Sequence, residues 1–306
     1  MKGISCLAPV AVLVLALVSC DPSGRPKEEL PGNDSASSVV KDSFKTEPIK
    51  NAKKASSLAW LVERGSGVYL TAPQDAFEAQ GMIRAAKDPS KIIISTKNFS
   101  KNDIIGFLRM GAKVVIESSD LTDADLASTL DSAERLGRLD DITLLAFDAD
   151  FEKASAWAAR GINFRIGPNY TPLEALHIAR KAGGRVEIFA EGFAPSEILS
   201  FMREGALVTL TSPAEKYSEK RLAEFAKAGG ERFKALAWDL PPKTCETILK
   251  NGGKVILGLF TMPAEDILRL AKAYPGKVTV FGNTLSQQEI EQISKYADKF
   301  YIINNE

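Results

Sequence analysis

One histidine, three cysteines and no surplus of either charge limit the chemistry open to this chain of 306 residues. Its 39 Lys and Arg are balanced by 39 Asp and Glu. Nucleic-acid binders attract phosphate through clustered cations, so this balance argues against a nucleic-acid partner. The sequence also lacks paired Cys spacings, His-Glu-x-x-His, Gly-x-Ser-x-Gly and a phosphate-binding loop. Their absence removes the usual zinc, serine-nucleophile and nucleotide motifs, and neither a metal nor a cofactor is expected. The apolar run from Leu7 to Val18 is about a dozen residues, short of the roughly 20 that span a bilayer. Disorder is excluded as well, because a chain that is 45% hydrophobic can bury a sizeable core.

What is present begins with an address. Met1-Lys2-Gly3 precedes the apolar run, and Leu17-Val18-Ser19-Cys20 closes it, the order of a secretory signal. Those four residues resemble the lipobox of bacterial lipoproteins: two apolar positions, a small residue, then the Cys that is lipidated. The resemblance implies a signal peptide over residues 1–19 and a mature N-terminus at Cys20, which carries thioether-linked diacylglycerol and palmitate-type acyl chains. It places the protein in the bacterial cell envelope, anchored to a membrane on the periplasmic or extracellular side. Asp21 resembles the inner-membrane retention residue of enterobacterial lipoproteins. Cys6 would leave with the signal, so Cys245 would be the one free thiol and no intramolecular disulfide could form. Residues 20–52, rich in Ser, Pro, Lys, Glu and Asp, read as a flexible tether with a coil span of roughly 30 Å and an extended limit near about 100 Å.

Residues 53–306 read as a single α/β repeat domain. A short β-branched strand, a loop, an amphipathic helix and a Gly before the next strand recur with a period of about 22 residues. The strands are expected to include Val68, Ile92, Val114, Ile142, Phe164, Val186, Val208, Phe233, Val255, Val278 and Phe300. Val and Ile suit a pleated strand because their stiff χ1 loses little there. Gly111, Gly205 and Gly252 stand where a helix needs a left-handed cap. A longer repeat overlies the short one, matching Leu145-Ala146-Phe147-Asp148 to Leu236-Ala237-Trp238-Asp239.

Alternating strands and helices mean parallel pairing. Eleven strands exceed the eight of a (β/α)8 barrel, so an open α/β solenoid is expected, with a TIM-like barrel carrying extra strands as the alternative. Val278, Val280, Asn283 and Leu285 resemble the leucine-rich-repeat frame, from which the chain departs at Gly111, Gly183 and Pro275, where that family has Leu. One strand face mixes Ser95, Glu117, Arg165, Glu187, Thr209 and Thr211 with Phe189, Trp238, Phe281 and Tyr301. In a solenoid that face is an exposed concave binding surface; in a barrel its charges point inward and need partners.

The candidate binding residues are therefore Glu117, Arg165, Glu187, Phe189, Trp238, Phe281 and Tyr301. Arg165 and Glu187 could equally pair with each other across the ladder, and the aromatics could be core. No catalytic residue is assigned. His177 lies among apolar residues at helical spacing and reads as structural, as does Cys245. Acids at strand ends, Glu117, Asp148, Glu191 and Asp239, could do glycosidase-type work, although Asp148 and Asp239 stand where helix caps are expected. The expected function is a non-catalytic binding or scaffolding lipoprotein with an envelope protein or glycan as partner. A tethered barrel hydrolase acting on envelope glycans is the alternative.

Overall fold

The computed structural model of the protein describes residues 67–70, 75–238, 240–257, 262–282 and 285–302. The expected signal peptide, Cys20 and the expected tether lie outside these residues. Among the described residues no helix is long and apolar enough to cross a membrane.

Strands and helices alternate along the chain. The strands are β1 (Val68–Leu70), β2 (Ile92–Ser95), β3 (Lys113–Glu117), β4 (Ile142–Leu145), β5 (Asn163–Ile166) and β6 (Val186–Phe189), followed by β7 (Leu207–Leu210), β8 (Phe233–Leu236), β9 (Lys254–Leu257), β10 (Val278–Phe281) and β11 (Lys299–Ile302). Every expected strand position falls in one of them. Between them run α1 (Ala76–Ala85), α2 (Lys101–Arg109), α3 (Asp123–Arg135), α4 (Phe151–Arg160), α5 (Pro172–Ala182) and α6 (Pro195–Arg203), then the single turn α7 (Pro213–Lys216), α8 (Glu219–Gly229), α9 (Pro242–Lys250), α10 (Ala264–Ala273) and α11 (Gln287–Ile293).

Local chemistry explains where the helices start. Ser100, Thr171 and Ser286 each accept from the N–H three residues on, while Asp103, Glu174 and Glu289 reach back to the cap N–H. Such boxes satisfy two of the four orphan donors at a helix start. Three of the helices stop where the chain turns left-handed just beyond them: Gly111, Gly205 and Gly252 have φ of 98°, 95° and 98°, a region that a Cβ makes costly.

The sheet is closed. Each strand pairs in parallel with its sequence neighbours, and β1 pairs with β11 through Val68 with Phe300, Tyr69 with Tyr301 and Leu70 with Ile302. The expected open solenoid is thereby corrected to the barrel alternative, with eleven strands in place of eight. The physical reason is edge pairing: an open arc leaves two rows of unpaired N–H and C=O groups, and closure removes both.

The barrel has two apolar layers. Outward strand residues such as Leu70, Ile94, Ile116, Phe164 and Val208 are buried under the helices, against Phe107, Leu130, Phe201 and Phe225. Burying each such side chain contributes roughly 1.5–3 kcal/mol. Inward, Tyr69, Val115, Leu145, Phe147 and Phe189 form a separate cluster with Ile93. Eleven tilted strands about 4.8 Å apart close at a backbone radius of about 10 Å, against roughly 7–8 Å for eight. Branched aliphatic residues that fill an eight-stranded barrel cannot reach across that width. Longer side chains and a cavity occupy the lumen beside Val115, Leu145 and Ile93.

Candidate functional site

A buried ion cluster organises the lumen. Arg165 on β5 stands opposite Glu187 on β6, and Thr209 on β7 stands opposite Lys234 on β8. Glu187 accepts from Arg165 Nε at 2.8 Å through Oε2, and from Thr209 Oγ1 at 2.6 Å and Lys234 Nζ at 2.9 Å through Oε1. Only 8% of Glu187 is exposed. Burial alone would raise its pKa, but Lys234 and Arg165, with the Thr209 and Lys234 hydrogen bonds, outweigh that and hold it well below the usual carboxylate range. A carboxylate so fixed is ionised at neutral pH and has no proton to exchange. It orients its partners.

Beside the cluster is a cavity of about 240 Å³. Arg165, Glu187, Thr209 and Lys234 contribute a polar layer to its lining, and Phe189 and Leu236, two places further along the strands of Glu187 and Lys234, join Tyr69, Ile256 and Phe281 in an apolar one. Lys254, Thr279 and Lys299, on the consecutive strands β9, β10 and β11, contribute further donors. Glu231 and Asp298, both exposed, lie just before β8 and β11 and mark the end that reaches the N-terminal edge of the sheet. Four cations thus face three carboxylates. Lys254 lies 3.5 Å from Glu231, whose side chain is 72% exposed, so water screens that pair.

The opposite rim, where the strands end, carries acids. Glu117 closes β3, half-buried, and its pKa is raised by burial and by Asp120, against the pull of Lys97, with Asp148 adding to the rise. Asp120 is also raised, chiefly by burial, with Lys97 opposing. Asp148 is exposed and does not cap α4: that role belongs to Asp150, which accepts from the Lys153 N–H. The capping expected of Asp148 is therefore corrected, because the chain continues two residues past Asp148 before turning helical. Asp239 lies outside the described residues, and the cap position before α9 is Pro241, with no side-chain bond. Glu191 is buried and accepts from the N–H groups of Thr211 and Ser212, tying the end of β6 to the turn after β7.

Of the seven residues expected to bind, Arg165, Glu187, Phe189 and Phe281 line the cavity together. Trp238 meets the Phe281 ring at 6.2 Å between centroids. Its buried Nε1 has no hydrogen-bond partner among the described residues. Tyr301 is in register with Tyr69 and Phe281. Glu117 stands apart at the rim. The concave surface on which these residues were expected is replaced by a lumen, because closure turns the mixed face inward. The expected Arg165–Glu187 pairing is present at 2.8 Å. His177 is exposed on α5 with its ring 5.4 Å from that of Phe151, and Cys245 is buried in α9. No group of three His, Cys, Asp or Glu among the described residues could hold a metal.

Lys234, Lys254, Thr279, Lys299 and Tyr69 escaped the sequence reading. The signal that finds them is parity: each stands an odd number of places from the outward-facing residue of its strand. A Lys at a strand's start reads as a solvated flank until closure turns it inward.

No family model matches the chain, and no curated protein matches it. Among solved structures it is similar to deoxyribose phosphate aldolase from Aeropyrum pernix, 14% identical over 67% of this chain and 88% of that one, with a TM-score of 0.32. It is also similar to dihydropteroate synthase from Xanthomonas albilineans, 12% identical over 62% and 85%, with a TM-score of 0.32. At these values neither enzyme says what this chain does.

Proposed function

We propose that the chain is an envelope lipoprotein, tethered through Cys20, whose barrel binds a small molecule in its lumen. The lumenal cavity carries the binding part of this reading: its lining combines a layer of apolar side chains with a layer of hydrogen-bond donors, and its volume is below the 300–1,000 Å³ of sites for drug-sized ligands. Scaffolding on a concave sheet is dropped from the proposal, since a closed sheet has no such face. Thr279→Trp tests it by filling the cavity without removing a charge. A panel of small metabolites should contain compounds that raise the unfolding temperature of the full chain and leave the variant unmoved. If no compound stabilises the parent, or stabilisation survives in the filled variant, the lumen is not the site.

A second reading has its own observation. Glu117 ends β3 and Asp148 follows its neighbour β4, and Glu117 has a raised pKa with Asp148 close enough to contribute. A hydrolase of envelope glycans would use Glu117 as proton donor and Asp148 to activate water. Release of sugar from purified cell-wall glycan, lost in Glu117→Gln, would favour it. Turnover equal to the parent in that variant would remove it.

A further inference from the structure

We infer that the lumenal ligand is a small organic anion with an apolar body, its charge held by Lys254, Thr279 and Lys299. The inference rests on the lumenal binding reading and adds the ligand's chemical class. Of the four cations in the cavity, Arg165 and Lys234 are both spent on Glu187, at 2.8 and 2.9 Å. That carboxylate is ionised and saturated, so it competes little for a further cation.

Lys254 and Lys299 are left. Lys254 has only the long contact to exposed Glu231, and Lys299 forms no ion pair with any described residue. Thr279 lies between them on the middle strand, in register with Lys299 on one side and with Ile256, two residues beyond Lys254, on the other. Its hydroxyl makes no hydrogen bond with a described residue. Two ammonium groups and a hydroxyl on three adjacent strands match the oxygens of a carboxylate or a similar compact anion. A cation would meet the lumen's positive surplus, and a neutral ligand would leave Lys254 to its long contact with Glu231 and the exposed Lys299 to water. Two places further along β6, β8, β9 and β10, the layer of Phe189, Leu236, Ile256 and Phe281 has no polar side-chain atom to satisfy, so the rest of the ligand is apolar. A ring or short alkyl chain fits the volume.

Calorimetric titration of the full chain with benzoate, benzyl alcohol and inorganic phosphate separates charge from body. Benzoate should bind at least about tenfold more tightly than either of the others. Lys254→Met and Lys299→Met should each weaken it about tenfold, while Lys220→Met, on the outside of α8, leaves it unchanged. Unfolding curves matching the parent's would show that the lumenal variants are folded. Benzyl alcohol binding as tightly as benzoate, and blocked by Thr279→Trp, would overturn the anionic class and leave lumenal binding standing. Phosphate binding as tightly as benzoate would overturn the apolar body. Benzoate binding undiminished in the Lys254→Met/Lys299→Met double variant would place the anion elsewhere and overturn the inference. If none of the three probes binds and no panel compound stabilises the protein, both the inference and the reading beneath it fail.

Discussion

Replacing Glu187 by Gln tests the centre of the lumen most directly. The amide keeps the shape of the side chain and removes the charge, leaving Arg165 and Lys234 facing one another without an anion between them. Breaking a fully buried ion pair from one side costs about 3–5 kcal/mol. Here the side chains of Arg165 and Lys234 keep 21% and 24% of their exposure and Glu187 10%, because the cavity admits some water. The cost is therefore scaled down, to about 2–4 kcal/mol. Against a total of about 5–15 kcal/mol for an ordinary domain, that is a large fraction.

Urea unfolding followed by circular dichroism would read it as a lower midpoint at unchanged slope. The pH dependence supplies the sign. Glu187 is depressed in the folded state from an ordinary value of 4.5, so its contribution is complete above that value and is lost as the pH falls through the lowered one. The gap between parent and Glu187→Gln should be full at pH 7 and narrow steadily below about pH 4.5. A gap under about 0.5 kcal/mol at pH 7, or one that widens on acidification, would refute the cluster as the lumen's organiser.

Three further outcomes follow from particular residues. Cys20→Ala should move the protein from the membrane fraction to the soluble one, and unchanged membrane association without acylation would defeat the lipoprotein reading. Glu117→Gln should raise thermal stability at pH 7: burial and Asp120 raise the acid's pKa, so the parent loses stability as the pH climbs through 4.5 and the raised value, whereas the amide does not; the two should unfold alike near about pH 3, and a variant less stable than the parent at pH 7 would contradict this. Gly253→Ala should cost about 1–3 kcal/mol by overpacking, since the added Cβ would lie 2.8 Å from Ile248 Cγ2, 3.1 Å from Ala226 Cβ and 3.2 Å from Phe233 Cδ1, and a chemical unfolding midpoint equal to the parent's would show that the helix–sheet packing yields there.

Strand positions, helix starts and glycine caps are legible in the sequence because each depends on residues within one repeat. Val114 beside Val115, or Ser100 three places before Asp103, decides its local structure without reference to the rest of the chain. Closure is different in kind. It depends on β1 meeting β11 across more than 200 intervening residues, and on the sum of small register offsets between successive strands. No one repeat contains that sum. Asp148 shows the same limit at short range: the difference between a cap at 148 and one at 150 lies in how far the chain runs on before α4, which the residue type alone does not specify.

The mixed strand face favoured an open sheet because an inward charge demands partners, and those partners are not adjacent in sequence. Glu187 draws Lys234 from two strands away, 47 residues along the chain, and Thr209 from the strand between. Once that set is assembled, a polar inner face ceases to argue against a barrel and begins to explain its width. Eight strands would leave too little room for Arg165, Glu187 and Lys234 beside Phe147, Phe189 and Tyr69. Eleven leave enough to seat them and slightly more than they fill. The cavity is that remainder, so the feature that carries the functional proposal follows from the strand number itself and was open to no reading that left the sheet unclosed.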